Sequence, residues 1–134
     1  KKVDAVDSIL TERSARELYL KPFEMLVREA HIACIMTSFN KINGVFAGGS
    51  KDLCTRILRE EWGFDGAVVT DWGDIVVDGA DAVAAGNDIV MPGGPPVIRQ
   101  ILKGYEEGRV TREEMETAAG HLLCMIRRIH GKEK

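Results

Sequence analysis

The side chain best suited to chemistry in this sequence is the carboxylate of Asp71, which follows a short run of small and β-branched residues. Residues 67–70 have the pattern of a buried strand in a parallel sheet, because such strands are almost continuously apolar. Binding and catalytic groups gather at the carboxyl ends of parallel strands, where Asp71 would lie. Trp72 adds a flat apolar face on which a sugar ring can pack. Asp is also a favoured helix N-cap, so local pattern supports capping and chemistry equally.

Two other stretches predict strands whose ends would meet the same rim. Residues 33–39 and 88–91 are short, apolar and flanked by helical patterns, as in βα units of a parallel sheet. The first carries Met36 and Phe39, and the second ends on Met91. One carboxylate among such groups fits a small pocket for a polyol. On the residues alone, core packing is the simpler role for the two methionines and the phenylalanine.

The remaining carboxylates of this region are assigned other roles. Asp65 and Asp88 precede predicted strands, so they should lie at the opposite end of the sheet. Asp74 is predicted to cap the following helix, and Asp78 and Asp81 to lie on its solvated face. Hydrolysis of a glycosidic bond needs two carboxyl groups. The chain therefore offers only one of the pair at the predicted rim.

Helical patterns alternate with these strands and predict an α/β fold. Helices are expected at residues 11–30 with a break before Pro22, and at 51–61, 75–86, 97–107 and from 111 onward. Thr11, Ser50 and Thr111 are the predicted N-caps, the last in a capping box with Glu114. Residues 40–49 are predicted to form a loop. Three parallel strands alone would leave two unpaired edges.

Composition excludes several classes of function. The chain has 134 residues, of which 45% are hydrophobic and 29% charged, with a formal net charge of -3. No basic surface for nucleic acid and no apolar run long enough for a membrane span are present. The His and Cys spacing predicts no metal site, and no cofactor is expected. Three dispersed cysteines, Cys34, Cys54 and Cys124, are predicted to be small buried hydrophobes, which favours a reducing, cytoplasmic compartment over secretion.

Five blocks, in order along the chain, resemble glycoside hydrolase family 3, the β-glucosidase group. The combination is specific, although no single block would be. The blocks are R-E-L-Y-L-K-P-F-E (16–24), I-M-T-S-F-N-K-I-N-G (35–44), L-R-E-E-W-G-F-D-G (58–66), V-V-T-D-W (68–72) and A-A-G-N-D-I-V-M-P-G (84–93).

The resemblance implies a retaining hydrolase of β-linked glycosides built on a (β/α)8 barrel. It assigns the nucleophile to Asp71 and substrate binding to Met36, Phe39, Trp72 and Met91. The aromatic residue at the position of Phe39 is usually a tyrosine whose hydroxyl points at the nucleophile, so this sequence departs from the family there.

The resemblance also implies that much of the enzyme lies outside this sequence. Residues 1–134 would form one partial domain, three consecutive βα units of the barrel followed by C-terminal helices. The acid/base residue and the other units would come from the rest of the barrel and a second domain, so the chain alone should be inactive. The alternative is a non-catalytic α/β module that folds alone or associates with copies of itself through its exposed sheet edges.

Overall fold

The structure is a computed structural model that describes residues 6–72 and 77–131. Its elements, in order, are β1 (Asp7–Ser8), α1 (Glu12–Ser14), a π-helical stretch (Ala15–Tyr19), α2 (Lys21–Arg28), β2 (Cys34–Met36), β3 (Lys41–Ile42), β4 (Val45–Phe46), a 3-10 turn (Ala47–Gly49), a π-helix (Asp52–Glu61), β5 (Ala67–Val69), α3 (Gly79–Ala85), α4 (Gly94–Glu106) and α5 (Arg112–His130). None of the helices in these two described ranges is long and apolar enough to cross a membrane.

The central sheet is parallel, as the sequence predicts, but its strands are shorter than expected. β2 and β5 pair in register, with Cys34 opposite Ala67 and Met36 opposite Val69. The third predicted strand, residues 88–91, is reduced to an isolated parallel bridge between Val69 and Ile89. The order is therefore β2, β5 and then the segment at Ile89, with β5 in the middle.

The segment predicted as a loop, residues 40–49, contains a hairpin. β3 and β4 are antiparallel, and β3 also pairs in parallel with β1. Asn43 and Gly44 both have positive φ, 51° and 85°, as a two-residue type I′ turn requires. Asn43 also accepts a hydrogen bond from the N–H of Leu10 at 2.8 Å. The hairpin and β1 thus form a small second sheet of three strands.

The helix starts follow the predicted capping chemistry. The hydroxyl of Thr11 accepts from the N–H of Ser14, that of Ser50 from Leu53, and that of Thr111 from Glu114. The side chain of Glu114 in turn accepts a hydrogen bond from the N–H of Thr111 at 2.9 Å, which completes the capping box. α4 begins at Gly94, three residues before the predicted start, because prolines fit the first helical turn.

α3 begins later than predicted. The predicted helix 75–86 is observed as Gly79–Ala85, and Asp78 is its N-cap, accepting from the N–H of Ala80 at 2.9 Å. Asp78 is therefore not simply on a solvated helix face. Asp74, predicted to be the cap, lies outside the described residues.

Two hydrophobic clusters hold the elements together. The first packs helices against the sheet and consists of Val27, Leu58, Trp62, Phe64 and Val68, bordered by Leu20, Ile32, Ile35 and Ile57. The second joins α3, α4 and α5 and consists of Ala80, Val83, Val110 and Ala118, bordered by Ala84, Val90, Ile101 and Met115. α3 and α4 approach closely because Gly104 faces Ala80, where any side chain at residue 104 would collide.

The expectation that all three cysteines are buried is wrong. Cys54 is buried, whereas Cys34 and Cys124 are exposed. Cys34 alternates with Ile35 along β2, and only Ile35 faces the first cluster. Apolar neighbours in sequence therefore do not fix the burial of a residue on a strand with one uncovered face.

Candidate active site

The rim of the sheet is set by the register of β2 and β5. Because Met36 pairs with Val69, the two strands end level with each other. The N–H of Thr37 continues the ladder to the carbonyl of Val69 at 2.9 Å. Asp71 and Trp72 follow at the end of the middle strand. Asp71 is half-buried, while Trp72 and Met36 are 55% and 52% exposed and accessible to a ligand.

The carboxylate of Asp71 is held close to its own strand end. Its Oδ1 accepts from the backbone N–H of Trp72 at 2.7 Å. An ionised carboxylate has two oxygens and roughly four acceptor positions, so this bond orients the group without saturating it. The carboxylate is thus oriented by one hydrogen bond and keeps other acceptor positions.

Met91 lies on the rim beside Thr70, whereas Phe39 lies beyond the end of β2. The backbone N–H of Met91 donates to the hydroxyl of Thr70 at 2.8 Å, which brings Met91 beside the residue that precedes Asp71. Phe39 lies three residues beyond the end of β2 and is half-buried. The register and this hydrogen bond bring Met36, Asp71, Trp72 and Met91 to one end of the sheet. Phe39 lies on the loop that leaves it.

A buried amide below the rim escapes sequence analysis. Asn87 is fully buried and donates to the carbonyls of Gly48 and Ala82 at 2.7 and 2.8 Å. It also accepts from the hydroxyl of Thr37 at 3.3 Å. These bonds tie the loop after β4 to the end of β2 and to α3. The signal was only an Asn after a helix-ending glycine, which is equally typical of an exposed turn.

The opposite end of the sheet holds the most strongly paired carboxylate. The side chain of Asp88 is 1% exposed and accepts from Arg59 at 2.6 Å and from the N–H of Val68 at 2.7 Å. Its other oxygen lies 2.9 Å from Nδ1 of His121. Asp65 is exposed and pairs with Arg128. Both carboxylates therefore lie away from Asp71, as predicted, and both have structural partners.

Asp78 and Asp81 also have a partner. Both pair with Arg109, at 3.0 and 2.7 Å. Ion pairs at an exposed surface add little stability, because water screens them. Neither carboxylate belongs to the rim.

An apolar groove elsewhere on the described surface is not the candidate site. It has a volume of about 330 Å³ and lies between α2, the Asp52–Glu61 helix and β2. Of the five predicted site residues only Met36 lines it, and none of the described residues that line it carries a charge. A groove without a carboxylate cannot supply the chemistry of Asp71. No group of three or more His, Cys, Asp or Glu side chains suited to a metal ion occurs in residues 6–72 and 77–131.

Comparisons with known proteins agree on one family. The model of the glycosyl hydrolase family 3 N-terminal domain matches residues 3–125. A β-glucosidase of Ruminococcus albus is 37% identical over 136 residues, and a probable β-glucosidase I of Aspergillus flavus is 52% identical over 68 residues. The first match covers 93% of this chain and 14% of that protein, and the second 51% and 8%.

Comparison with solved structures also finds β-glucosidases. β-Glucosidase 3B from Thermotoga neapolitana, solved in complex with glucose, superposes with a TM-score of 0.86 at 32% identity. The match covers 94% of this chain and 19% of that one. The chain thus spans less than a fifth of the length of each of these three proteins.

Proposed function

Since the chain belongs to glycosyl hydrolase family 3, we propose that it is the nucleophile-bearing segment of a retaining β-glycosidase, with a β-glucoside as the favoured substrate class. The observation that carries the proposal is the position of Asp71. It is a half-buried, oriented carboxylate at the end of the middle strand, beside an exposed Trp72 and an exposed Met36.

The proposed reaction has two steps. A carboxylate oxygen of Asp71 attacks the anomeric carbon, the bond to the leaving oxygen breaks, and an acid residue outside this chain protonates that oxygen. Water then hydrolyses the glycosyl ester, giving up a proton to the same residue, now acting as base. Trp72 and Met36 supply apolar surface for the sugar ring, and Phe39 and Met91 the adjoining walls.

The partial barrel is the second component of the proposal. Three parallel segments in the order β2, β5 and Ile89 correspond to consecutive βα units of a (β/α)8 barrel. The remaining units and a second domain of the same enzyme would supply the acid/base group and the other sugar contacts. We therefore infer that the isolated chain does not hydrolyse glycosides efficiently.

The alternative is a non-catalytic α/β module that folds alone or associates with its own copies. The observation that favours it is the amount of apolar surface left exposed on α2, where Phe23, Met25 and Leu26 are all more than 40% exposed. Under this alternative the chain has the sequence and fold of the family but does not take part in catalysis.

Substitution of Asp71 in the intact enzyme that contains this segment separates the two. Asp71→Asn keeps the shape of the side chain and removes the nucleophile, so hydrolysis of an aryl β-glucoside is expected to fall by roughly 10³-fold or more. Asp65→Asn is the matched control, because the same change is made in an exposed carboxylate at the other end of β5. Equal activity of both variants, or no β-glycosidase activity in the intact protein, would favour the non-catalytic alternative.

A further inference from the structure

Among residues 6–72 and 77–131, the side-chain group that hydrogen-bonds to the backbone of Met91 is the hydroxyl of Thr70. We propose that Thr70 is a positioning residue for the nucleophile, which rests on the proposed function of Asp71. By fixing the end of β5 to the segment before Pro92, it sets where the carboxylate of Asp71 stands relative to the wall formed by Met91.

Residues 88–91 run alongside β5 and are held to residues 68–70 by backbone and side-chain hydrogen bonds. The N–H groups of Asp88 and Ile89 both donate to the carbonyl of Val68, at 2.8 and 3.1 Å. The N–H of Thr70 donates to the carbonyl of Ile89 at 3.0 Å. At the next position toward the rim, the acceptor is a side chain instead of a backbone carbonyl. The N–H of Met91 donates to Oγ1 of Thr70 at 2.8 Å.

The sequence explains why a side chain takes over at this point. Pro92 has no N–H, so the donor of Met91 is the last one before the chain turns at Gly93. The hydroxyl of Thr70 accepts from this donor at the point where the segment leaves the sheet. The segment pairs with β5 through an isolated bridge at Val69 and Ile89 instead of a full third strand.

Thr70 is directly bonded along the chain to Asp71, so its orientation is passed on to the nucleophile. The carboxylate in turn is held by the N–H of Trp72 at 2.7 Å. If the hydroxyl is lost, the partly buried N–H of Met91 loses its acceptor and the end of β5 loses its fixed distance to Met91. Small misplacements of a reacting group can cost about 10²-fold in rate, because attack requires close and aligned atoms.

The test compares two isosteric substitutions in the intact enzyme. Thr70→Val removes the acceptor and keeps the volume. Thr55→Val is the matched control, because the hydroxyl of Thr55 also makes one partly buried bond, donating to the carbonyl of Ala85 at 2.9 Å, on a helix away from the rim. The readouts are kcat, KM, thermal unfolding and the rate at which a 2-fluoroglucoside traps the nucleophile.

We expect Thr70→Val to lower kcat and the trapping rate by about 10- to 100-fold with little change in KM. Thr70→Ser, which keeps the acceptor, should restore both to within about threefold of the original enzyme. Thr55→Val should leave both rates unchanged even if it lowers the unfolding temperature as much as Thr70→Val does. If Thr70→Val does not fold, Thr70→Ala removes the same acceptor without adding an apolar group and is measured instead.

Trapping at the original rate in the variant without the acceptor would overturn the role of Thr70. So would equal losses in the Thr70 and Thr55 variants, or no rescue by serine. Asp71→Asn is measured alongside: if it retains activity, the proposed function itself fails, whatever the Thr70 variants do. Failure of the inference and failure of the proposed function are thus distinguished.

Discussion

Phe39 is the residue at which this chain departs from the pattern that its family resemblance implies. A tyrosine at this position would place a hydroxyl near the nucleophile, and phenylalanine keeps the ring without the donor. A hydrogen bond to a charged group contributes about 1.5–3 kcal/mol. Asp71 instead retains the bond from the N–H of Trp72, which does not depend on residue 39. We therefore expect the side chain at 39 to tune the reactivity of Asp71 without being required for its orientation.

Phe39→Tyr is expected to lower the rate of glycosyl-enzyme formation in the intact enzyme by about threefold to tenfold, because a hydroxyl that donates to the resting carboxylate of Asp71 stabilises the charge that is consumed when Asp71 attacks. Pre-steady-state release of the aryl leaving group measures this step. Phe23→Tyr, which adds the same hydroxyl to an exposed ring on α2, is the control and should change nothing. An unchanged or faster rate in the Phe39 variant would argue against its proximity to the nucleophile.

The cysteines give a second prediction at the scale of single residues. Burial raises the pKa of the Cys54 thiol to about 11, while Cys124 is exposed. Since only the thiolate reacts, iodoacetamide at pH 8 should modify Cys124 and leave Cys54 intact in the folded chain. Peptide mass spectrometry checks this, with unfolded chain as the control in which all three cysteines react. Equal labelling of Cys54 and Cys124 under native conditions would contradict the packing around Cys54.

At the scale of elements, local signals predicted helices better than strands. Thr11, Ser50 and Thr111 were predicted to be caps because a cap needs only residues within one turn, and each makes the expected bond. The Asn43-Gly44 pair is itself typical of a two-residue hairpin turn, so the hairpin within the segment predicted as a loop has a local signal in the sequence. The length of the third strand depends on pairing between segments about 20 residues apart, where the N–H of Met91 bonds to the side chain of Thr70, so local pattern does not specify it.

In the candidate site, too, local sequence pattern predicts some features, while contacts between distant residues determine others. The apolar run before Asp71 predicts its position just beyond a strand, which the structure shows, while the nucleophile role implied by the ordered blocks stays a prediction. The full burial of Asn87 depends on contacts with Gly48, Ala82 and Thr37, two of them far away in sequence. No periodicity in the sequence encodes such contacts.

Alanine substitutions at two glycines are expected to change the free energy of unfolding in opposite directions, because the two glycines have different backbone conformations. Gly44 has φ +85° in the hairpin turn, and Gly120 lies within α5; a Cβ at either would meet no atom within 4 Å. Gly44→Ala should destabilise the fold by about 1 kcal/mol, because alanine is strained at positive φ. Gly120→Ala should stabilise it by up to about 1 kcal/mol, since alanine is the better helix former.

Urea unfolding of the two variants beside the parent chain measures both effects, with the m-value checked for a change in the unfolded state. Effects of equal sign would contradict the hairpin turn or the helical conformation at Gly120, according to which variant departs from expectation.

At the scale of the whole molecule, the exposed apolar surface is the main feature. Leu18 and Ile9 are 67% and 77% exposed, and Leu123 on α5 is 61% exposed. β2 also has one edge that pairs with no strand of the described residues. Such surfaces are typical of interfaces or of aggregation. They fit a chain whose partners are the remaining parts of a larger barrel.

When produced alone, the chain is expected to associate instead of remaining a compact monomer of 14.8 kDa. Sedimentation velocity checks this. The double substitution Leu18→Lys with Phe23→Lys should reduce association by charging the exposed surface of the π-helical stretch and α2. Glu29→Lys changes the net charge by the same amount without removing apolar area, so it should not. A compact monomer for the parent chain would rule out association through this surface.

The central claim is that Asp71 is the nucleophile of a retaining glycosidase. The most direct measurement is to trap the intact enzyme with an activated 2-fluoroglucoside, digest it and find the modified residue by mass spectrometry. The account predicts one covalent sugar, on the peptide that contains Asp71, and its loss in Asp71→Asn. A sugar attached to another residue, or an active enzyme with no label at Asp71, would contradict it.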